Sequence, residues 1–193
     1  MFMHKFQNII ILLVTIVALA ACDRNTPIWE QMDMAEDLLN TKPDSALTIL
    51  ENIPATNRKG KEIAARYALL KSMALDKNVI DRTDFELLQP AIDYYQNHGT
   101  ATDKLRTHYY EGRIYQNAGQ GDLAMKSFIK AREVEGPITD TLTLGNLLVA
   151  QATYYYSTYK VKEFIANNQQ AARLYEAIGH SYYQFRSLLN TLD

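Results

Sequence analysis

Cysteine occurs once in this chain of 193 residues, at position 22, and tryptophan once, at position 29. A lone cysteine excludes an internal disulfide and any CxxC metal or redox pair. HExxH helices, phosphate-binding loops and GxSxG elbows are missing too, which removes the common zinc-hydrolase, nucleotide and serine-hydrolase chemistries. The histidines at 4, 98, 108 and 180 fall far apart, without metal-ligand spacing. Acidic pairs such as Glu133 with Glu135 and Asp81 with Asp84 stand beside loops, where carboxylates start helices or face water. Neither a metal nor a cofactor is expected, and the chain does not read as an enzyme.

A concentrated positive face is also lacking. The 20 basic residues are outnumbered by 22 acidic ones, and in "NRKGKEIAAR" and "KAREVE" the two signs are interleaved. Phosphate-backbone binding needs a basic patch, so nucleic acid is not the expected partner. What the chain does have is 47% hydrophobic residues. At this length a folded chain buries roughly 70% of the surface its unfolded form exposes, enough to hold a core without metal or disulfide.

The longest apolar run opens the chain. In "NIIILLVTIVALAACDRN", Lys5 precedes an apolar core from Ile9 to Leu19, and small residues follow at Ala20 and Ala21. That order is the layout of an export signal, and the charges at Asp23 and Arg24 come too soon for a span of about 20 apolar residues. Leu19, Ala20, Ala21 and Cys22 together resemble the lipobox of bacterial lipoproteins. The resemblance implies cleavage before Cys22, a diacylglycerol on its thiol and an acyl chain such as palmitate on its new amino group. Residues 1–21 would be the signal peptide and 22–27 a short tether, holding residues 28–193 close to a membrane of the cell envelope on its periplasmic or outer side. Two or three acyl chains, at about 0.8 kcal/mol per buried methylene, make such an anchor effectively permanent.

From Ile28 onward no strand-like alternation of useful length occurs, while apolar and aromatic residues recur three and four apart, predicting an all-helical domain. "NTKPDS", "IPATNRKGK", "NHGTATD", "NAGQGD", "EGPITD" and "AIGHS" punctuate it at short intervals, as helical hairpins would be. In "THYYEGRIYQNAGQGDLAMKSFIKAREVEGP", Gly112, Tyr115, Ala124, Phe128, Ala131 and Pro137 fall in an order that resembles the tetratricopeptide repeat (TPR), a hairpin of about 34 residues. Small residues at Gly112 and Ala124 let two helices come close, Phe128 fills the space beside them, and Gly119 takes the turn. His108 and Glu111 depart from the pattern, standing where tryptophan and leucine are usual.

Weaker units surround this one. Trp29, Ala46, Leu50 and Pro54 mark a first; Ala91 and Tyr95 mark a second, with a lengthened loop and with Pro90 either starting or kinking its helix. A fourth has Ala152 and Tyr155 but Phe164 in place of the small alanine, predicting helices that splay or shift register. The final stretch, "HSYYQFRSLLNTLD", puts Tyr182, Phe185, Leu189 and Leu192 on one face, as a cap or the first helix of a further unit. "ARYALLKSMALDKN", "AIDYYQNHG" and "HYYEGRIYQNAG" behind a lipobox are similar to TPR lipoproteins of anaerobic Gram-negative bacteria. That family implies a right-handed α-solenoid of about four repeats and a final helix, binding a protein or peptide. Rival expectations are the sensor half of a signalling protein and a glycan-binding lipoprotein, the latter suggested by 13 tyrosines.

Carried over from the TPR groove, the partner-binding positions are Arg106, Tyr109, Arg113, Gln116 and Asn117 in the third unit. In the fourth they are Asn146, Val149, Thr153, Tyr156 and Ser157. Tyr109, Arg113 and Asn117 lie four residues apart and share a helical face, where an aromatic beside a guanidinium suits a peptide or carboxylate. The anchor is tested first: Cys22→Ala should stop incorporation of labelled palmitate and move the protein from the membrane to the soluble fraction, and retention in the membrane would contradict lipidation.

Overall fold

The three-and-four spacing becomes nine α-helices among the described residues, with no strand there. The computed structural model describes residues 26–191. The segment read as a signal peptide, the lipidation position Cys22, most of the tether and Leu192 lie outside them. In chain order the helices are α1 (Thr26–Leu38), α2 (Pro43–Glu51), α3 (Lys61–Lys77), α4 (Gln89–Tyr95), α5 (Ala101–Asn117), α6 (Gly121–Arg132), α7 (Thr141–Ser157), α8 (Val161–Ala177) and α9 (Ser181–Leu189). They pack as adjacent hairpin-like pairs, and in addition α1 touches α3, α3 touches α5 and α5 touches α7.

The helix starts at Lys61, Ala101, Thr141 and Ser181 are spaced by 40 residues, and α3, α5 and α7 are each 17 residues long. This period, longer than the TPR's, brings like positions into register. The twelfth residue of α3, α5 and α7 is Ser72, Gly112 or Ala152, small and buried each time. Two residues past each of these helices the backbone turns left-handed, at Val79 (φ 59°), Gly119 (φ 73°) and Tyr159 (φ 57°). The next amide then reaches back to close the helix: Ile80 donates to the Leu75 carbonyl, Gln120 to Tyr115 and Lys160 to Tyr155, at 2.8–2.9 Å. Only one of the three sites carries the glycine that this geometry favours.

The small-against-large contact expected in the third unit is present. A Cβ built on Gly112 would stand 2.3 Å from Cε1 of Phe128, so no other residue fits there without displacing the ring. Ala124, Phe128 and Ala131 are buried, and Tyr115 packs at the core's edge against Phe85, with ring centroids 4.7 Å apart. Pro90 lies in the first turn of α4 and starts the helix without kinking it.

The fourth unit corrects the expected splay. Phe164 turns outward against Tyr156, with centroids 5.3 Å apart, and Asn168, fully buried, takes the large position. Asn168 satisfies itself by donating to the Phe164 carbonyl at 3.0 Å and accepting from Asn190 at 3.1 Å. A second close approach then holds α7 to α8 at the other end: a Cβ on Gly145 would lie 2.6 Å from the Tyr175 ring, whose hydroxyl donates to Asn146 at 2.7 Å. Two glycine-to-ring contacts thus fasten two hairpins.

Substitutions at the close approach and at the strained turn should have opposite signs. Gly112→Ala gains helix propensity but overpacks Phe128, for a net loss of about 1–2 kcal/mol. Val79→Gly removes left-handed strain from a side chain that is 86% exposed. Its gain should be about 0.5–1 kcal/mol after the extra freedom of the unfolded chain is counted. Urea unfolding measures both, and a stabilised Gly112→Ala would contradict the packing account.

Candidate functional site

Because α3, α5, α7 and α9 are in register, their inward residues converge on one concavity. A cavity of about 1040 Å³ lies between the turn after α1 and the inner sides of these four helices. Asp76 and Lys77 line it from the end of α3, and Tyr109, Arg113 and Gln116 from α5. From α7 come Leu142, Asn146, Val149, Ala150 and Thr153, from α9 Tyr183, Arg186 and Ser187, and just past it Asn190. The lining moves toward the N-terminal end of the helix from α3 to α7, as helices rotated step by step require. Leu39, Asn40 and Pro43 close one rim, so the N-terminal turn faces the C-terminal helix across the space.

The wall is fixed by ion pairs between successive odd-numbered helices. Arg66 of α3 donates to Asp33 at 2.6 Å and to Glu36 at 2.9 Å, both on α1. The other oxygen of Glu36 accepts from Arg106 of α5 at 2.5 Å. Arg106 also donates through Nε to Asp140 at 2.6 Å, and Asp140 caps α7 by accepting from the Thr143 amide at 2.9 Å. Two of these groups are nearly out of water, the Arg106 side chain at 17% exposure and Asp140 at 11%. Burial by itself would raise the carboxyls of Glu36 and Asp140, but the guanidiniums and the Thr143 donors outweigh it and hold both below their ordinary values. Burial would likewise discharge Arg106, and its two carboxylate partners reverse that.

These contacts sort the expected groove residues. Tyr109, Arg113, Gln116 and Thr153 line the cavity, as do Asn146 and Val149; Arg106, Asn117, Tyr156 and Ser157 are not among its lining residues. Arg106 is taken up by Glu36 and Asp140. Asn117 donates to the Arg82 carbonyl at 3.2 Å, Tyr156 stands 71% exposed, and Ser157 donates to the Tyr154 carbonyl at 2.8 Å. Tyr109 offers only an edge: 5% exposed, it packs on Tyr110 and Phe128 with centroids 4.9 and 6.1 Å away. Arg113 is held by Asp76 at 3.0 Å and by Gln116 at 2.9 Å.

Sequence reasoning missed Asp76, Lys77, Tyr175 and the whole α9 contribution. The signal for α9 was the 40-residue spacing, which places Arg66, Arg106, Asn146 and Arg186 at the same sixth helical position. Burial pushes the hydroxyls of Tyr109 and Tyr175 well above the ordinary phenol range, so both remain protonated donors at neutral pH. Burial, with the Arg106 charge, pulls the Lys77 ammonium below its ordinary value, against the attraction of Asp140 and Asp76.

Among the described residues no cluster of three or more His, Cys, Asp or Glu is placed to hold a metal ion. No helix there is long and apolar enough to cross a membrane. The chain matches no protein-family profile, no curated protein and no solved structure.

The ion pairs carry a pH dependence of known sign. Glu36 has a folded value below its ordinary 4.5, so its contribution is complete above the unfolded value and is lost as pH falls through the folded one. Glu36→Gln should lower stability at neutral pH by about 1–3 kcal/mol and flatten the acid limb of a urea midpoint profile. An unchanged acid limb would contradict the assignment.

Proposed function

We propose that this chain is a lipid-anchored scaffold of TPR-like hairpins, wound as a right-handed solenoid, that binds a segment of another protein in the cell envelope. The observation that supports it best is the cavity of about 1040 Å³, walled by four helices in register and by side chains already held in place. A space of that size stands at the top of the roughly 300–1000 Å³ range of small-ligand pockets and has room for a peptide segment. Its lining offers donors, acceptors and aromatic edges, several of them held by neighbouring side chains, which supports recognition of a polar chain segment.

Binding in this account depends on preformation. Arg113 is already oriented by Asp76 and Gln116, and Tyr175 by Asn146, so little side-chain freedom is lost when a segment enters. The acylated Cys22 keeps the concavity near the head groups and raises the local concentration of partners in the same membrane. The partner is a protein or peptide, and no nucleic acid or metal takes part.

A photo-crosslinking side chain placed at Thr153, inside the cavity, should yield a discrete adduct in native membranes. The same side chain at Tyr159, 91% exposed and outside the lining, should not. Equal labelling at the two sites, or none at Thr153, would contradict binding in the concavity.

A further inference from the structure

The charge of the cavity differs in sign from that of the chain. Over the whole sequence acids exceed bases by 22 to 20, yet the lining has three lysine or arginine cations, Lys77, Arg113 and Arg186, and the imidazole of His180, against one carboxylate, Asp76. Asp76 is already matched, because both Nε and Nη2 of Arg113 donate to its Oδ1 at 3.1 and 3.0 Å. That leaves Lys77 and Arg186. Among the described residues neither forms an ion pair with a carboxylate, whereas Arg66, Arg82, Arg106 and Arg113 all do.

Lys77 is the more telling of the two. It is half-buried at the cavity's edge, and the acids that act on it are engaged elsewhere: Asp76 by Arg113, and Asp140 by Arg106 and the Thr143 cap. A half-buried ammonium without a carboxylate partner is costly, and a carboxylate placed beside it would offset that cost. Arg186 stands exposed on α9. Tyr109, Tyr175 and Tyr183 supply aromatic edges along the same cavity, the Tyr175 hydroxyl being already donated to Asn146.

Resting on the proposed role of the concavity in binding a protein segment, we infer that the segment is acidic, with one carboxylate taken by Lys77, another by Arg186, and apolar or aromatic side chains between them against the tyrosines. Two cations without a carboxylate partner, on a chain of small net negative charge, act at short range, favouring carboxylates that reach the cavity over uncharged or basic side chains. A small anion would satisfy Lys77 but leave most of the volume empty, so a chain bearing several carboxylates fits better.

The test uses the full-length lipoprotein in detergent and fluorescence anisotropy with three labelled peptides of equal length: one alternating glutamate with tyrosine, one glutamine with tyrosine, one lysine with tyrosine. The glutamate peptide should bind and weaken with added salt. The glutamine peptide should bind on the order of tenfold more weakly, the equivalent of about 1.4 kcal/mol. Lys77→Met should bring a similar loss for the glutamate peptide and none for the glutamine one. Arg186→Gln, at an exposed position that does not endanger folding, is the second variant and should weaken the glutamate peptide in the same sense. Equal affinity for the glutamate and glutamine peptides, preference for the lysine peptide, or indifference to both variants would overturn the acidic assignment while leaving recognition in the concavity intact. Failure of all three peptides overturns it as well, and together with a blank crosslink at Thr153 it would remove the binding role itself.

Discussion

Arg106 is the side chain on which the arrangement turns. It sits at the sixth position of α5 and joins three helices, reaching back to Glu36 on α1 and forward to the carboxylate that caps α7. Arg66, one repeat earlier, shares Glu36 and adds Asp33. Exposed ion pairs contribute about 0–1 kcal/mol, and burying charges offsets much of what they gain, so this chain of pairs is a poor source of bulk stability. Its effect is on register: removing one partner strands another charge away from water, which penalises any slip of α5 against its neighbours. The shape of the cavity follows, because its lining residues are on the same helices.

Stability comes from the interleaved apolar surface, and two glycines decide how close it gets. Gly112 admits the Phe128 ring and Gly145 the Tyr175 ring. The first was legible in the sequence because glycine, alanine and phenylalanine fall at TPR spacing within one short hairpin. The second was not, because Gly145 is at the start of one 17-residue helix and Tyr175 near the end of the next. Their meeting depends on two helix lengths and a turn, none of which a local motif specifies. Phe164, which by pattern predicted a splayed hairpin, turns outward, and Asn168 fills the gap through two hydrogen bonds. The turns show the same limit: Val79 and Tyr159 adopt a geometry that only Gly119 announces.

The functional surface was half legible for a related reason. The resemblance to the TPR assigned Tyr109, Arg113, Gln116 and Thr153 to the inner face, and the cavity includes them. It could not tell Arg113, which reaches the cavity, from Arg106, two turns earlier on the same side of α5, whose acidic partners lie 70 and 34 residues distant in sequence. Nor could it assign Lys77, at a helix end, to a wall completed by α9. The charge excess of the cavity emerges only when four helices are stacked. A chain with more acids than bases gives no hint of it.

The ion pairs through Arg106 hold the helices in register, so that this chain alone sets the shape of the concavity. Asn40 and Asn190 line opposite rims, one following α1 and the other following α9. Spin labels on cysteines introduced at these two positions, with Cys22 replaced by serine, report the distance across the opening by pulsed double electron–electron resonance. A single narrow distance distribution that broadens in Arg106→Met is the result this account predicts. A distribution already broad in the unaltered protein, or one that Arg106→Met leaves unchanged, would contradict it.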